Sequence, residues 1–195
     1  MPGFNFGNMI GLNFEDIMTP ILFVIIYIIA RLIYCIRKKQ KPTLKKELLH
    51  VVFVGYIGAV FTLLITFHMS LSIGNGIFEI ETMSSGEGKL NLIPFQTIIE
   101  QLNSDREMDF VNLLGNFLMM LPMPIFIKLH KPQYKNYACL LIVLAVIITA
   151  ETIQYFTGRS FDMDDIILNM LGATIGLCLF NIVNKHIKKK KANAK

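Results

Sequence analysis

Five apolar stretches, each close to the length of a bilayer crossing, divide this chain at residues 17–36, 48–67, 110–127, 138–156 and 166–183. A helix of about 20 residues covers the roughly 30 Å hydrocarbon core, and only helices or closed barrels satisfy every backbone N–H and C=O inside lipid. Periodicity does not distinguish strand from helix in such runs; their length, and the need to satisfy every backbone group inside lipid, predict helices. Composition agrees: 53% of residues are hydrophobic, 17% are charged and none is Trp, with a mean hydropathy of +0.53. These values describe an integral membrane protein. The expected fold is all-α, a polytopic bundle of about five transmembrane helices.

The net charge of +5 would suit an anionic partner if the cations were gathered on one face. Instead they lie between and after the apolar runs. Residues 37–46 hold six Lys and Arg, 128–135 hold three and 185–195 hold six, whereas 1–16, 69–109 and 157–165 together hold three. Because cationic loops stay on the cytoplasmic side, this distribution predicts the N-terminus outside and the C-terminus inside. No nucleic-acid partner is expected. The first run, preceded by Glu15 and Asp16 and followed by Arg37, Lys38 and Lys39, has the wrong flanks for a cleaved signal and is expected to stay as an anchor. Arg31, near the inner end of that run, reads as a side chain reaching to the interface.

Cys35, Cys139 and Cys178 fall inside apolar segments or at their inner ends, which suggests packing and no disulfide framework. His50, His68, His130 and His186 are isolated from one another, so no zinc spacing is present. In the long connection 69–109, Gly74, Gly76, Gly86 and Gly88 break any helix, and Ile77 to Glu81 alternates like one arm of a hairpin. The connection is too polar for a sixth span, and its length suggests that it packs over the helix ends.

The last three spans each carry strongly polar residues one helical turn apart: Asn112/Asn116, Glu151/Gln154 and Asp165/Asn169. With the orientation above, all six lie toward the outer face. Polar groups at membrane depth cost free energy, so their gathering at one level marks a candidate site. The turn between the last two spans adds Arg159, Asp162 and Asp164. Asp162 or Asp164 is placed to cap the fifth helix, where a carboxylate is favoured; Glu151 has no such explanation. A purely architectural alternative pairs Arg159 with Glu151 or Asp165 and uses the amides as interhelical glue. Gly115 is expected to let a neighbouring backbone come close, and Gly172 with Gly176 forms a small-residue face for packing on the third or fourth helix. Pro122 and Pro124 are expected to kink or end the third helix.

The ordered set Asn91-Leu92-Ile93-Pro94-Phe95, Asn112-Leu113-Leu114-Gly115-Asn116 with Pro122, Glu151-x-x-Gln154, Arg159-x-x-Asp162-x-Asp164-Asp165 and Asn169-x-x-Gly172-Ala173 resembles the VanZ-like family of bacterial membrane proteins. The resemblance covers about residues 89 to 180. Pro124 departs from it, standing where such sequences usually have glycine. It implies a division into residues 1–88, holding two spans and the start of the long connection, a VanZ-like domain at 89–184, and a basic cytoplasmic tail at 185–195. It also implies a multi-pass protein of the bacterial cell membrane, in a family named for a member that lowers sensitivity to teicoplanin. Family positions transfer to Asn91, Pro94, Asn116, Glu151, Gln154, Arg159, Asp162, Asp165 and Asn169.

Together these readings give a ligand-binding set of Asn91, Asn112, Asn116, Glu151, Gln154, Arg159, Asp162, Asp164, Asp165 and Asn169. Membrane lipids, a lipid-linked wall precursor or a lipoglycopeptide are the expected partners. No cofactor is expected, although the acids could hold a divalent cation. Two alternatives stand beside a binding role. A membrane enzyme would use Glu151 or Asp165 as base and Arg159 on a phosphate, without the nucleophile arrangement of covalent catalysis. A small transporter would cycle a proton on Glu151, but the inner halves of the spans offer few polar steps and no internal repeat is evident.

Overall fold

A computed structural model describes residues 14–39, 43–65, 69–74, 77–82, 89–156 and 158–193. Its elements in chain order are α1 (Phe14–Lys38), α2 (Leu44–Ile65), β1 (Met69–Gly74), β2 (Ile77–Thr82), β3 (Leu90–Asn91), α3 (Gln96–Leu102), α4 (Glu107–Met119), α5 (Pro122–His130), α6 (Asn136–Phe156), β4 (Phe161–Asp162) and α7 (Met163–Asn193). Five helical segments are long and apolar enough to cross a membrane: Met18–Lys38, Leu44–Leu63, Asp109–His130, Asn136–Phe156 and Met163–Asn193. The protein is thus an all-α membrane bundle with small β additions. The described residues fall into two compact units, one within 1–83 and the other within 84–195.

In the first unit α1 and α2 form a helical hairpin. Close approach depends on Gly58, where an added Cβ would come 2.8 Å from Pro20 Cα and 3.3 Å from Phe23 Cβ. One turn further on, the Thr62 hydroxyl donates to the Gly58 carbonyl at 2.9 Å, which satisfies a buried polar group within its own helix. At the other end of the hairpin Arg31 does not simply reach for the interface. Its guanidinium grips both oxygens of Glu47, with Nη2 to Oε1 at 2.8 Å and Nε to Oε2 at 3.0 Å, and the Tyr27 hydroxyl donates to the same carboxylate at 3.2 Å. The forked geometry makes this an oriented charge pair between helices. Ile77 to Glu81 does belong to a hairpin, as part of β2, which pairs antiparallel with β1 in the register Met69 with Thr82 through Gly74 with Ile77.

The second unit is organised around α7. Its 31 residues reach about 46 Å at 1.5 Å per residue, so the helix outlasts the membrane span and carries on into the basic tail. The expected third span is interrupted at its prolines. Neither Pro122 nor Pro124 has an N–H to donate, and the backbone tightens to Leu121 N–H on Leu118 O and Met123 N–H on Met120 O, both at 3.3 Å. The result is two helices, α4 and α5, joined by a turn.

Against this interrupted helix lie Gly172 and Gly176 of α7. A Cβ on Gly172 would sit inside the Phe117 carbonyl, and one on Gly176 inside the Leu121 carbonyl. The small-residue face therefore packs on the third span, backbone against backbone. Gly115 does not behave as expected, since a Cβ there would meet nothing within 4 Å; it lies away from the helix contact. At the far end of this unit the buried Lys128 donates to the Tyr134 carbonyl at 2.5 Å, tying α5 to the loop before α6.

Candidate functional site

The buried residues of α6 are Cys139, Val143, Ile147, Ala150, Glu151 and Gln154. Steps of three and four make one helical stripe, so Glu151 and Gln154 continue an apolar seam into the bundle. On α7 the stripe is Asp164, Asn169, Gly172, Ala173, Gly176 and Leu177. The polar pairs thus lie at the ends of seams that are greasy along the rest of their length. Glu151 and Asn169 are each only 1% exposed.

After α6 the chain turns sharply. Gly158 adopts φ 87°, its N–H donates to the Tyr155 carbonyl at 3.2 Å and the Arg159 N–H donates to the Gln154 carbonyl at 2.9 Å. This pair of bonds is the Schellman ending, which glycine favours because it has no Cβ to clash at positive φ. It sets Arg159 just beyond the helix end, partly buried.

Beyond Arg159, β4 pairs parallel with β3, Leu90 opposite Phe161 and Asn91 opposite Asp162. Asp162 holds this junction together. Its carboxylate accepts the Thr97 hydroxyl at 2.6 Å, the Asn91 amide at 3.3 Å and, as N-cap of α7, the Asp164 N–H at 2.9 Å. Its own N–H donates to Glu151 Oε2 at 3.2 Å.

Asp164 is fully buried and caps a different helix. Its carboxylate accepts the Phe95 N–H at 2.5 Å and the Ile98 N–H at 3.0 Å, which are the N-cap and N3 donors of α3. A capping box normally finds its acceptor within the same helix; here another element supplies it. Phe95 takes φ 67°, an uncommon conformation for a residue with a side chain, held in place by that bond.

Two of the expected acids are therefore fasteners that lock 89–102 onto the head of α7. The others are arranged differently. The Asn116 amide donates to Asp165 Oδ1, and the Asn169 amide donates to the Asp165 carbonyl at 2.8 Å. Glu151 lies within electrostatic reach of Asp165, Arg159 and Asp162, and Asp165 within reach of Asp162, Arg159 and Asp164. Yet the Arg159 guanidinium forms no ion pair among the described residues, so the architectural alternative of an Arg159 clamp on Glu151 or Asp165 is not what the chain adopts.

Asn169 Oδ1, fully enclosed, has no hydrogen-bond partner among the described residues. Asn112 is exposed and does not join this group. The inward stripe of α4 runs through Leu113, Asn116 and Met120, and its centre is rotated about 70° from Asn112. Thr97 is the member that the sequence did not single out; a lone Thr in the first turn of a short helix carries no pattern, and its role appears through contact with Asp162. Among the described residues no group of three or more His, Cys, Asp or Glu side chains is disposed to hold a metal ion.

Membrane-crossing helices that bring amides, acids and a guanidinium to one end of a bundle define a polytopic membrane protein with a polar cluster. The VanZ/LLP1 family matches residues 53–184, more than half of the sequence, and the chain belongs to that family. The match starts well before residue 89 and takes in most of α2. Protein VanZ of Enterococcus faecium is 29% identical over 103 residues, which cover 52% of this chain and 58% of that protein. The chain thus spans less than two thirds of that relative's length. No solved structure matches it.

Proposed function

We propose that this chain is a bacterial cell-envelope protein that binds the polar head of a membrane-borne amphiphile at the outer leaflet, using Asn116, Glu151, Gln154, Arg159, Asp165 and Asn169. The amphiphile is a lipid headgroup, a lipid-linked wall precursor or a lipoglycopeptide, and binding lowers sensitivity to teicoplanin-type antibiotics. What carries the reading is the Asn169 acceptor, buried on a membrane-crossing helix without a partner among the described residues. Leaving such a group unmade costs about 1–3 kcal/mol, and a ligand donor would recover it. Arg159, which forms no ion pair among the described residues, supports an anionic feature on the same ligand, such as a phosphate or carboxylate.

Glu151→Gln is the decisive substitution, because the amide keeps the shape and an acceptor for the Asp162 N–H while removing the charge. The variant should insert and remain folded, and the strain carrying it should become as teicoplanin-sensitive as one lacking the gene. In the same strains Ser160→Cys, with the three native cysteines replaced, should react with an impermeant maleimide added outside intact cells. Wild-type resistance in the Glu151→Gln strain would remove the site from the function, and labelling of the Ser160→Cys thiol only after permeabilisation would reverse the topology.

A second reading is favoured by the same Arg159, which lies within electrostatic reach of the Glu151 and Asp165 carboxylates. Here Glu151 or Asp165, as general base, takes a proton from a water that attacks the phosphorus of an ester held by Arg159; the P–O bond to the leaving group breaks, and the leaving oxygen takes a proton back from the acid or from solvent. Release of product from a lipid-linked phosphate by purified protein, lost in Asp165→Asn, would establish it over simple binding.

A further inference from the structure

The segment 89–106 precedes the third span and is too short and too polar to cross a membrane, yet its outward side is greasy. Leu90, Leu92, Ile93, Phe95, Ile99 and Leu102 are all between 55% and 64% exposed. At the N-cap of α3 and along it, the apolar positions Phe95, Ile99 and Leu102 follow one another by four and three residues and are exposed. Thr97, Ile98 and Gln101 are partly buried on the other side, with the Thr97 hydroxyl on Asp162. An amphipathic helix in water turns its apolar face to the core. This short one does the reverse.

We infer that residues 90–102 form an interfacial element, lying in the plane of the membrane with Ile93, Phe95, Ile99 and Leu102 among the upper acyl chains. Three observations select lipid as the occupant. The element cannot float free, because Asp162 and Asp164 bolt it to the first turn of α7, the head of a membrane-crossing helix. Its apolar surface also continues along the chain into Phe110, Leu114 and Leu118, exposed at steps of four on the next crossing segment. Finally, polar and charged residues border it where the headgroups would lie, with Lys89 on one side and Asp105 and Arg106 on the other, all exposed. Such a face beds about 5–10 Å into the boundary between headgroups and chains. The inference does not depend on the ligand reading. If both hold, the element gives an amphiphile in the leaflet a way to reach the polar cluster from the side.

The chain contains no Trp, so one introduced indole is the sole fluorophore of its kind. Phe95→Trp and Ile99→Trp would each be made in the full chain and reconstituted in phosphatidylcholine vesicles with brominated lipid. Leu114→Trp on the crossing segment serves as the lipid-exposed reference. Lipids brominated just below the headgroup should remove about half or more of the fluorescence at 95 and 99, and lipids brominated near the chain ends should remove less. Iodide in the water should quench both variants several-fold less than it quenches free tryptophan. Two variants guard against one failing to fold, and Leu114→Trp reports that reconstitution worked. Strong iodide quenching with no effect of bromolipid would overturn the inference, as it would place the segment in water. Shielding from both quenchers would overturn it as well, because a protein partner would then cover the face.

Discussion

Valine in place of Gly176, and likewise in place of Gly172, should prevent accumulation of folded protein, while alanine at Gly115 should leave it unharmed or slightly more stable. A Cβ at either α7 position overlaps a main-chain carbonyl, that of Phe117 or Leu121, and backbone does not move aside as a flexible side-chain tip does. Relief requires α7 to back away from α4 and α5 along their whole contact. That forfeits the close packing on which helix association in lipid depends, since burial of apolar surface supplies no drive there. Overpacking of a tight core costs about 1–3 kcal/mol when side chains can yield; a clash with backbone costs more, against a total stability of about 5–15 kcal/mol. At Gly115 there is only open space, so alanine gains the helix preference of about 0.8–1 kcal/mol. Thermal denaturation in detergent, followed by size-exclusion fluorescence, compares the three. Equal melting of Gly115→Ala and Gly172→Val would mean that the close approach of α7 to the third span is wrong.

The contrast among these glycines also marks where sequence reasoning stops. Five spans can be read from hydropathy because lipid leaves the backbone no alternative to helix, and Pro122 and Pro124 announce their interruption through the donors they lack. Whether a glycine is a contact depends on what faces it, which the local sequence does not contain. Gly115 and Gly172 look alike as letters. Asn112 and Asn116 raise the same difficulty: four residues turn a helix about 40° past a full circle, and where the contact stripe is narrow that separates an exposed amide from one bonded to Asp165. The acids were legible as a cluster and not as two kinds of acid. Nothing near Asp164 in sequence reveals that its partners are the N–H groups of Phe95 and Ile98, 69 and 66 residues away.

That division can be tested on the acids themselves. Asp164→Ala should release 89–102 from the bundle, with a local loss of about 2–6 kcal/mol, because the Phe95 and Ile98 N–H groups would both lose their acceptor and each orphan costs about 1–3 kcal/mol. Asp164→Asn retains one acceptor oxygen and should fall between. The unusual φ of Phe95 sharpens the effect: once Asp164 no longer accepts its N–H, the residue has no reason to stay in the left-handed region and the turn before α3 should relax. Hydrogen exchange by mass spectrometry over 89–106 reads this directly, and the rest of α6 and α7 should keep its protection. In Glu151→Gln the same amides should exchange as in the wild type. If Asp164→Ala left protection at 95–98 unchanged, the carboxylate would not be the fastener, and the distinction between Asp162 and Asp164 on one hand and Glu151 and Asp165 on the other would have to be redrawn.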